Sequence, residues 1–387
     1  MAERYDAIVV GVGAMGSATV FQLARRGLRV LGLERFDVLH PFGSSHGLTR
    51  IIRLAYSEHP SYVPLLRRAY ELWHELENLD GRMLLYTTGS LEGGLPDGQV
   101  FRGSLEAAEI HHLPFEVLTG PEVNERWPGY ALPAELRLVF QPDGGFLASE
   151  ECILAHVRQA MARDAMIRWR ETVLEWGPTD EGVWVRTDRG RYEAGRLVIS
   201  AGPWMGKLVP ELASLVVPER QVLAWLQPTK PELFRLGRFP VFNVEVEEGR
   251  YYGFPEWGIP GFKFGRYHHL EEVADPDAMD REPNEKDEEV LRAFARRYFP
   301  DGEGPTVALK ACLFTNAPDE HFILDLHPSF KQVALASPCS GHGYKFASVV
   351  GEIMADLVER GETNYDLSLF RLDRFSTDPS GSIQPSL

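Results

Sequence analysis

Along "YDAIVVGVGAMGSATVFQLARRGLRVLGLERF" the spacing of apolar residues changes twice. Ala7 to Val10 is a short β-rich run, Ala14 to Arg26 puts Val20, Leu23 and Ala24 on one helical face, and Leu28 to Leu33 is a second apolar run ending at Glu34. Farther on, "RWRETVLEWGPTDEGVWVRTDRGRYEA" (168–194) predicts a three-run β meander with turns at Gly177-Pro178 and Arg189-Gly190. "RLVISAGPWMGKLVP" then adds a strand ending at Ala201-Gly202-Pro203. Helical periodicity recurs in "RRAYELWHELENLDG", with Ala69, Leu72, Trp73 and Leu76 inward, and in "NEKDEEVLRAFARRYFP". It returns after Ser340-Gly341-His342-Gly343, where Val349, Val350, Ile353, Met354 and Leu357 share a face. In "GFKFGRY", alternation puts Phe262 and Phe264 on one side and Lys263 with Gly261 and Gly265 on the other. A lysine so placed ordinarily points to solvent. The tail "STDPSGSIQPSL" reads as a loose end.

At 387 residues the chain suits two intertwined domains rather than one small core. Apolar residues make up 44% and charged residues 25%, and no run approaches the roughly eighteen apolar residues of a membrane span, so a soluble enzyme with no membrane partner is expected. The first strand starts too near Met1 for a secretory signal, and three scattered cysteines form no disulfide framework; both favour a reducing cytoplasm. The net charge of −16 would repel phosphate backbones, which disfavours nucleic acid as a partner.

Candidate chemistry begins at Gly11, Gly13 and Gly16, a G-x-G-x-x-G at the strand-to-helix turn. Such glycines allow the tight turn, close approach of backbone to a pyrophosphate, and close helix–strand packing, while the helix N-terminus favours the phosphates. Glu34, ending the second strand, can accept hydrogen bonds from a ribose and disfavours a 2′-phosphate there. Strand, helix, strand and acid together indicate a dinucleotide, without separating NAD from FAD. The meander and the strand closing at Gly202 lean towards FAD, and the glycine-flanked start of the last helix could stabilise negative charge on a reduced ring. Among the cysteines, Cys312 sits alone between an apolar run and Pro-Asp-Glu-His, Cys339 abuts the Ser-Gly-His-Gly turn, and Cys152 falls in a helical pattern.

Five stretches in order, "GVGAMGSA", "SSHGLTRIIRLAYSEHPSYVPL", "YYGFPEWGIPGFKFGRYHH", "ACLFTNAPDEHFILDLHP" and "SGHGYKFASVVGEI", resemble the monomeric sarcosine oxidase and N-methyl-amino-acid oxidase group along essentially the whole chain. The resemblance implies an α/β (α+β) fold, with a Rossmann-type FAD-binding domain beside a substrate domain built on a larger antiparallel or mixed sheet. The expected division is 1–80, 146–218 and 308–387 for FAD, and 81–145 and 219–307 for substrate.

By the same resemblance, Cys312 is bonded through sulfur to the 8α-methyl of FAD; attack needs thiolate, so positive charge should lower its pKa. Arg53 and Lys345 would bind the substrate carboxylate, the latter from a helix start where a cation opposes the dipole. Arg50 would lie against the flavin with His46 and Thr49, and Lys263 would face it and activate oxygen. His268 or His269 would follow in the site, His268 being preferred. The cofactor set is Gly11, Gly13, Ala14, Met15, Gly16, Glu34, His46, Thr49, Arg50, Val173, Gly202, Cys312, Gly341, His342, Gly343 and Lys345. Tyr252 would line the substrate pocket. Phe314 departs from the tyrosine expected two residues after the cysteine, which leaves bulkier or cyclic secondary amines open beside sarcosine. The implied activity is oxidative demethylation by a monomer, giving formaldehyde, glycine and hydrogen peroxide with oxygen as partner. The alternatives are an FAD-dependent dehydrogenase serving another acceptor and a nucleotide-binding scaffold without catalysis.

Overall fold

The strand Arg4–Val10 lies at the centre of a parallel sheet, with Ala7 to Val10 buried from both sides. Burial on both faces is why it reads as a continuous apolar run rather than an alternating one. The computed structural model describes residues 4–377 and 383–384, so 378–382 and 385–387 of the expected loose tail lie outside the described residues. Val30–Leu33 and then Met166–Arg168 pair in parallel on one side of the central strand, and Arg191–Ile199 on the other. Arg191–Ile199 divides its outer edge between two partners. Residues 191–194 pair antiparallel with Gly182–Thr187, and Leu197 to Ile199 pair in parallel with Val333–Ser337.

The meander corrects one expectation. Gly177-Pro178 makes no turn; both residues lie inside the strand Val173–Thr179, and the chain reverses at Asp180-Glu181. That strand is the sheet edge, where proline costs no ladder hydrogen bond, and a Cβ on Gly177 would meet the Trp184 ring at 2.9 Å.

Helices Ala14–Arg25, Ser149–Met161 and Ala347–Arg360 pack together against the parallel sheet, with Tyr62–Asp80 behind them burying Ala69, Leu72, Trp73 and Leu76 as expected. Among the described residues, no helix is long and apolar enough to cross a membrane.

The second sheet has eight strands. In spatial order they are Thr306–Asn316, Val217–Leu226, Phe262–Arg266, Gly249–Phe254, Val241–Val246, Ser90–Gly94, Arg137–Gln141 and Glu116–Thr119. All neighbours are antiparallel except Val241–Val246 with Ser90–Gly94. One face packs on the helix Glu285–Tyr298 through an aromatic cluster that includes Phe242, Phe262, Phe264 and Phe294. Asn284 and Asp287 start that helix with a capping box.

The register then aligns the opposite face across six strands. Cys312 pairs with Gln221, Leu223 with Gly265, Gly265 with Tyr252, Tyr252 with Asn243 and Asn243 with Glu92. With side chains alternating at period two, Lys263, Tyr267, Arg250 and Phe314 join the same face. The strand Thr306–Asn316 thus runs past residue 307 and carries Cys312 into the second sheet. A three-stranded sheet, Thr49–Ile52 with Gly145–Ala148 and Leu85–Thr87, completes the fold.

Candidate active site

A cavity of about 580 Å³ runs from the first strand–helix turn to this polar face. At its outer end Gly11 has φ +86°, and a Cβ there would strike the Ser200 carbonyl at 2.6 Å. Gly16 does not line the cavity; a Cβ there would be 1.7 Å from the Gly11 carbonyl, so it sets the packing of helix on strand. Gly13, Ala14 and Met15 do line it, and a Cβ on Gly13 would meet only Ser45 Oγ, at 3.5 Å. The N-cap Gly13 brings no side chain to the start of the helix Ala14–Arg25, and the Ala14 N–H reaches Ser45 Oγ at 3.4 Å. Open space over Gly13 at a helix N-terminus is what a pyrophosphate requires. Glu34 is 5% exposed and accepts Val12 N–H at 2.8 Å and Phe36 N–H at 3.0 Å, which leaves carboxylate lone pairs for a ribose. Val173 and Gly202 line the same end. The residues present fit a dinucleotide.

Midway, Cys312 is 3% exposed and lines the cavity. Burial pushes its thiol up; Arg50, Lys263 and Arg220 pull the other way without prevailing. The expected cations are there, but the expected net lowering is not. Cys339 also lines the cavity, pushed up to about 11 by burial, while Cys152 is sealed in its helix.

Arg50 donates to three carbonyls, Ser44 at 2.7 Å, His46 at 2.6 Å and Thr49 at 2.9 Å. His46 is held down to about 3 by burial and by Arg50, and its Nε2 is buried without a partner. Lys263 is 3% exposed rather than solvent-facing. It stands behind the cavity wall, donating to Thr49 carbonyl at 2.9 Å and Thr49 Oγ1 at 2.8 Å, with its ammonium 4.2 Å from the Phe254 ring centre. Burial and Arg50 push it well below the usual lysine range.

The inner end is a ring of five buried or half-buried side chains. Arg250 Nε donates to Asn243 Oδ1 and its Nη2 to Glu58 Oε1, both at 2.8 Å. Asn243 Nδ2 donates to Glu92 Oε2 at 2.7 Å, Arg53 Nε meets that oxygen at 3.0 Å, and Arg53 Nη2 returns to Glu58 Oε2 at 2.9 Å. Lys345 adds an ammonium donating to His342 carbonyl at 2.6 Å, pushed well below its usual range by burial and Arg53. Burial pushes Glu92 up to about 7 against the pull of Arg53. His342 has Nε2 on the Glu320 carbonyl at 2.9 Å, so that nitrogen donates and Nδ1 accepts Tyr56 O–H at 2.6 Å. Gly341 and Gly343 line the cavity, but His342 and Gly343 N–H already serve the Cys339 carbonyl.

Tyr252 and Phe314 also line the cavity. Neither His268 nor His269 does. His268 sits at φ +53°, beyond the strand, between Glu219 and Glu320; burial opposes its charge, yet the two carboxylates push it up to about 9. His269 is fully buried on Asp287 at 2.9 Å. Tyr267 takes the cavity position, two residues after Gly265 on the Lys263 face. Arg250, Glu58, Glu92 and Asn243 were not anticipated either.

The chain matches the family described as FAD dependent oxidoreductase (DAO) over residues 6–357. It is 41% identical over 379 residues to a monomeric sarcosine oxidase of Bacillus sp. (strain NS-129), covering 97% of this chain and 98% of that one. It is 35% identical to an N-methyl-L-tryptophan oxidase of Salmonella dublin, over 96% and 100% of the two chains. The solved structure of NikD, an unusual amino acid oxidase essential for nikkomycin biosynthesis, superposes with a TM-score of 0.85 at 27% identity, over 95% of this chain and 97% of that one.

Proposed function

The chain belongs to the FAD-dependent oxidoreductase family, and from that premise we propose that it oxidises sarcosine or a related N-methyl or secondary amino acid with oxygen as acceptor. One N-methyl amino acid, one dioxygen and one water give the demethylated amino acid (glycine from sarcosine), formaldehyde and hydrogen peroxide. The observation that carries this reading is the group of buried cations with spare donors at the inner end of a cavity whose outer end fits a dinucleotide.

Bound FAD supplies the two-electron acceptor. Arg53 and Lys345 hold the substrate carboxylate, a charge-assisted grip that fixes the amine carbon for transfer. Tyr252, Tyr267 and Phe314 wall off water. Arg50, held on three carbonyls, keeps a fixed positive charge at the cavity wall, and Lys263, held by Thr49, supplies an amine whose protonated form is favoured as negative charge develops beside it when dioxygen is reduced. His46 lines the same cavity, with its Nε2 buried and without a partner among the described residues. Cys312 carries the tether. Its sulfur would hold the flavin covalently, a bond whose formation would release two electrons and two protons to an oxidant such as dioxygen. Residues 1–80, 146–218 and 308–387 are assigned to FAD and 81–145 and 219–307 to substrate, with the second-sheet strands Val217–Leu226 and Thr306–Asn316 crossing the boundaries, in a cytoplasmic monomer.

Acid precipitation tests the tether: yellow colour should stay with the protein and leave in Cys312→Ser. Anaerobic mixing with sarcosine and other N-methyl or cyclic amino acids tests the reaction, and bleaching followed by peroxide on admitting air is expected. A flavin that no secondary amino acid bleaches would reject it.

A further inference from the structure

Arg250 reaches the cavity from the strand Gly249–Phe254 and has no part in the roles assigned above. The ring holds two guanidinium groups on the two oxygens of Glu58, and in each of them Nη1 has no partner among the described residues. For a single substrate carboxylate, Nη1 of Arg53 and the spare hydrogens of Lys345 suffice. Arg250 is then surplus. A cation present only to neutralise Glu58 would be sealed in with all its donors used. Instead the Arg250 side chain keeps 19% exposure, against 4% for Arg53, and it borders the cavity. The guanidinium carbon lies over the Tyr267 ring, 4.5 Å from its centre.

Charge counting points the same way. Arg53 and Arg250 share the single carboxylate of Glu58, which leaves one positive charge in a buried place. A zwitterionic amino acid cancels none of it, whereas one bearing a second carboxylate cancels it. We infer that the preferred substrate is a secondary amino acid whose side chain carries a carboxylate, with Arg250 Nη1 as its anchor. This rests on the oxidase reading above and narrows its substrate class.

The test uses the FAD-loaded full chain and inert analogues in which sulfur replaces the amine nitrogen, 2-(methylthio)succinate against 2-(methylthio)propanoate, titrated by the change in flavin absorbance. One added charge-assisted contact should tighten the dicarboxylate by about 10- to 100-fold. Arg250→Gln should bring the ratio of the two constants close to one, and Arg250→Lys should restore part of it. Equal constants in the wild type, or a ratio unmoved in Arg250→Gln, would overturn the assignment. If the dicarboxylate is preferred but neither N-methylaspartate nor sarcosine bleaches the flavin, the oxidase reading fails while the anchoring role of Arg250 stands.

Discussion

Glu92 is fully buried, with Oε2 on Arg53 and Asn243 and Oε1 without a partner, so replacing it by glutamine removes a charge at nearly constant shape. Burial pushes its carboxyl up to about 7, from an ordinary value of 4.5. Between those values the unfolded chain has lost its proton while the folded chain still holds it. The unfolded state therefore binds fewer protons, and wild-type stability falls as pH rises through that window. Above it the loss levels off at about 3 kcal/mol. Glu92→Gln does not titrate there. Relative to the wild type it should gain about 3 kcal/mol between about pH 4.5 and pH 8, whatever constant offset the substitution adds. Urea unfolding at a series of pH values, followed by tryptophan fluorescence, measures the difference. Ligand binding should follow suit, because an ionised Glu92 repels a carboxylate next to Arg53, so affinity should fall as pH rises through about 7 in the wild type and not in the variant. Parallel stability curves for the two proteins would refute the buried, late-titrating carboxyl.

Lys263→Met should slow reoxidation by oxygen by about 100-fold or more while changing anaerobic reduction by substrate far less; stopped-flow traces showing equal slowing of both would reject its role. Asp287 takes Arg220 through both oxygens, at 2.9 and 2.8 Å, and also His269. Burial opposes its charge, but Arg220 and the Asn284 N–H hold it down to about 2, so its contribution is present above about 3.8 and is lost as pH falls through about 2. Asp287→Asn should cost about 3 kcal/mol or more, since it strands a buried guanidinium, and a loss below about 1 kcal/mol in urea unfolding would contradict that.

Residues 4–34 were legible because each rule there is local: a buried parallel strand, a turn that only glycine fits, a helix, and an acid at a strand end. The meander failed at Gly177-Pro178 because turn-forming residues also suit an edge strand, and edge position is a property of the sheet. Lys263 fits the same account. Alternation gave its face correctly, but that this face meets the nucleotide half rather than water depends on long-range packing. Tyr267 and Arg250 could have been found. Counting by twos from Lys263 reaches Tyr267 before His269 and never His268, and counting back by two from Tyr252 reaches Arg250. Glu58 and Glu92 carried no such signal. Their role comes from a ring closed by residues up to 192 positions apart.

A chain of net charge −16 that captures an anion poses a contradiction only if all its charges act at one range. Exposed carboxylates farther than a Debye length, about 8 Å in physiological salt, are largely screened from the cavity. The ring is buried and escapes most of that screening. The surface therefore governs how often an anion arrives, and the ring governs whether it stays. The same geometry explains how Arg53 and Arg250 stand side by side. Glu58 sits between them, with Oε2 on Arg53 at 2.9 Å and Oε1 on Arg250 at 2.8 Å, and so offsets their mutual repulsion. It leaves Nη1 of both arginines free, so binding adds hydrogen bonds without breaking the ring, and the anion meets donors already in place.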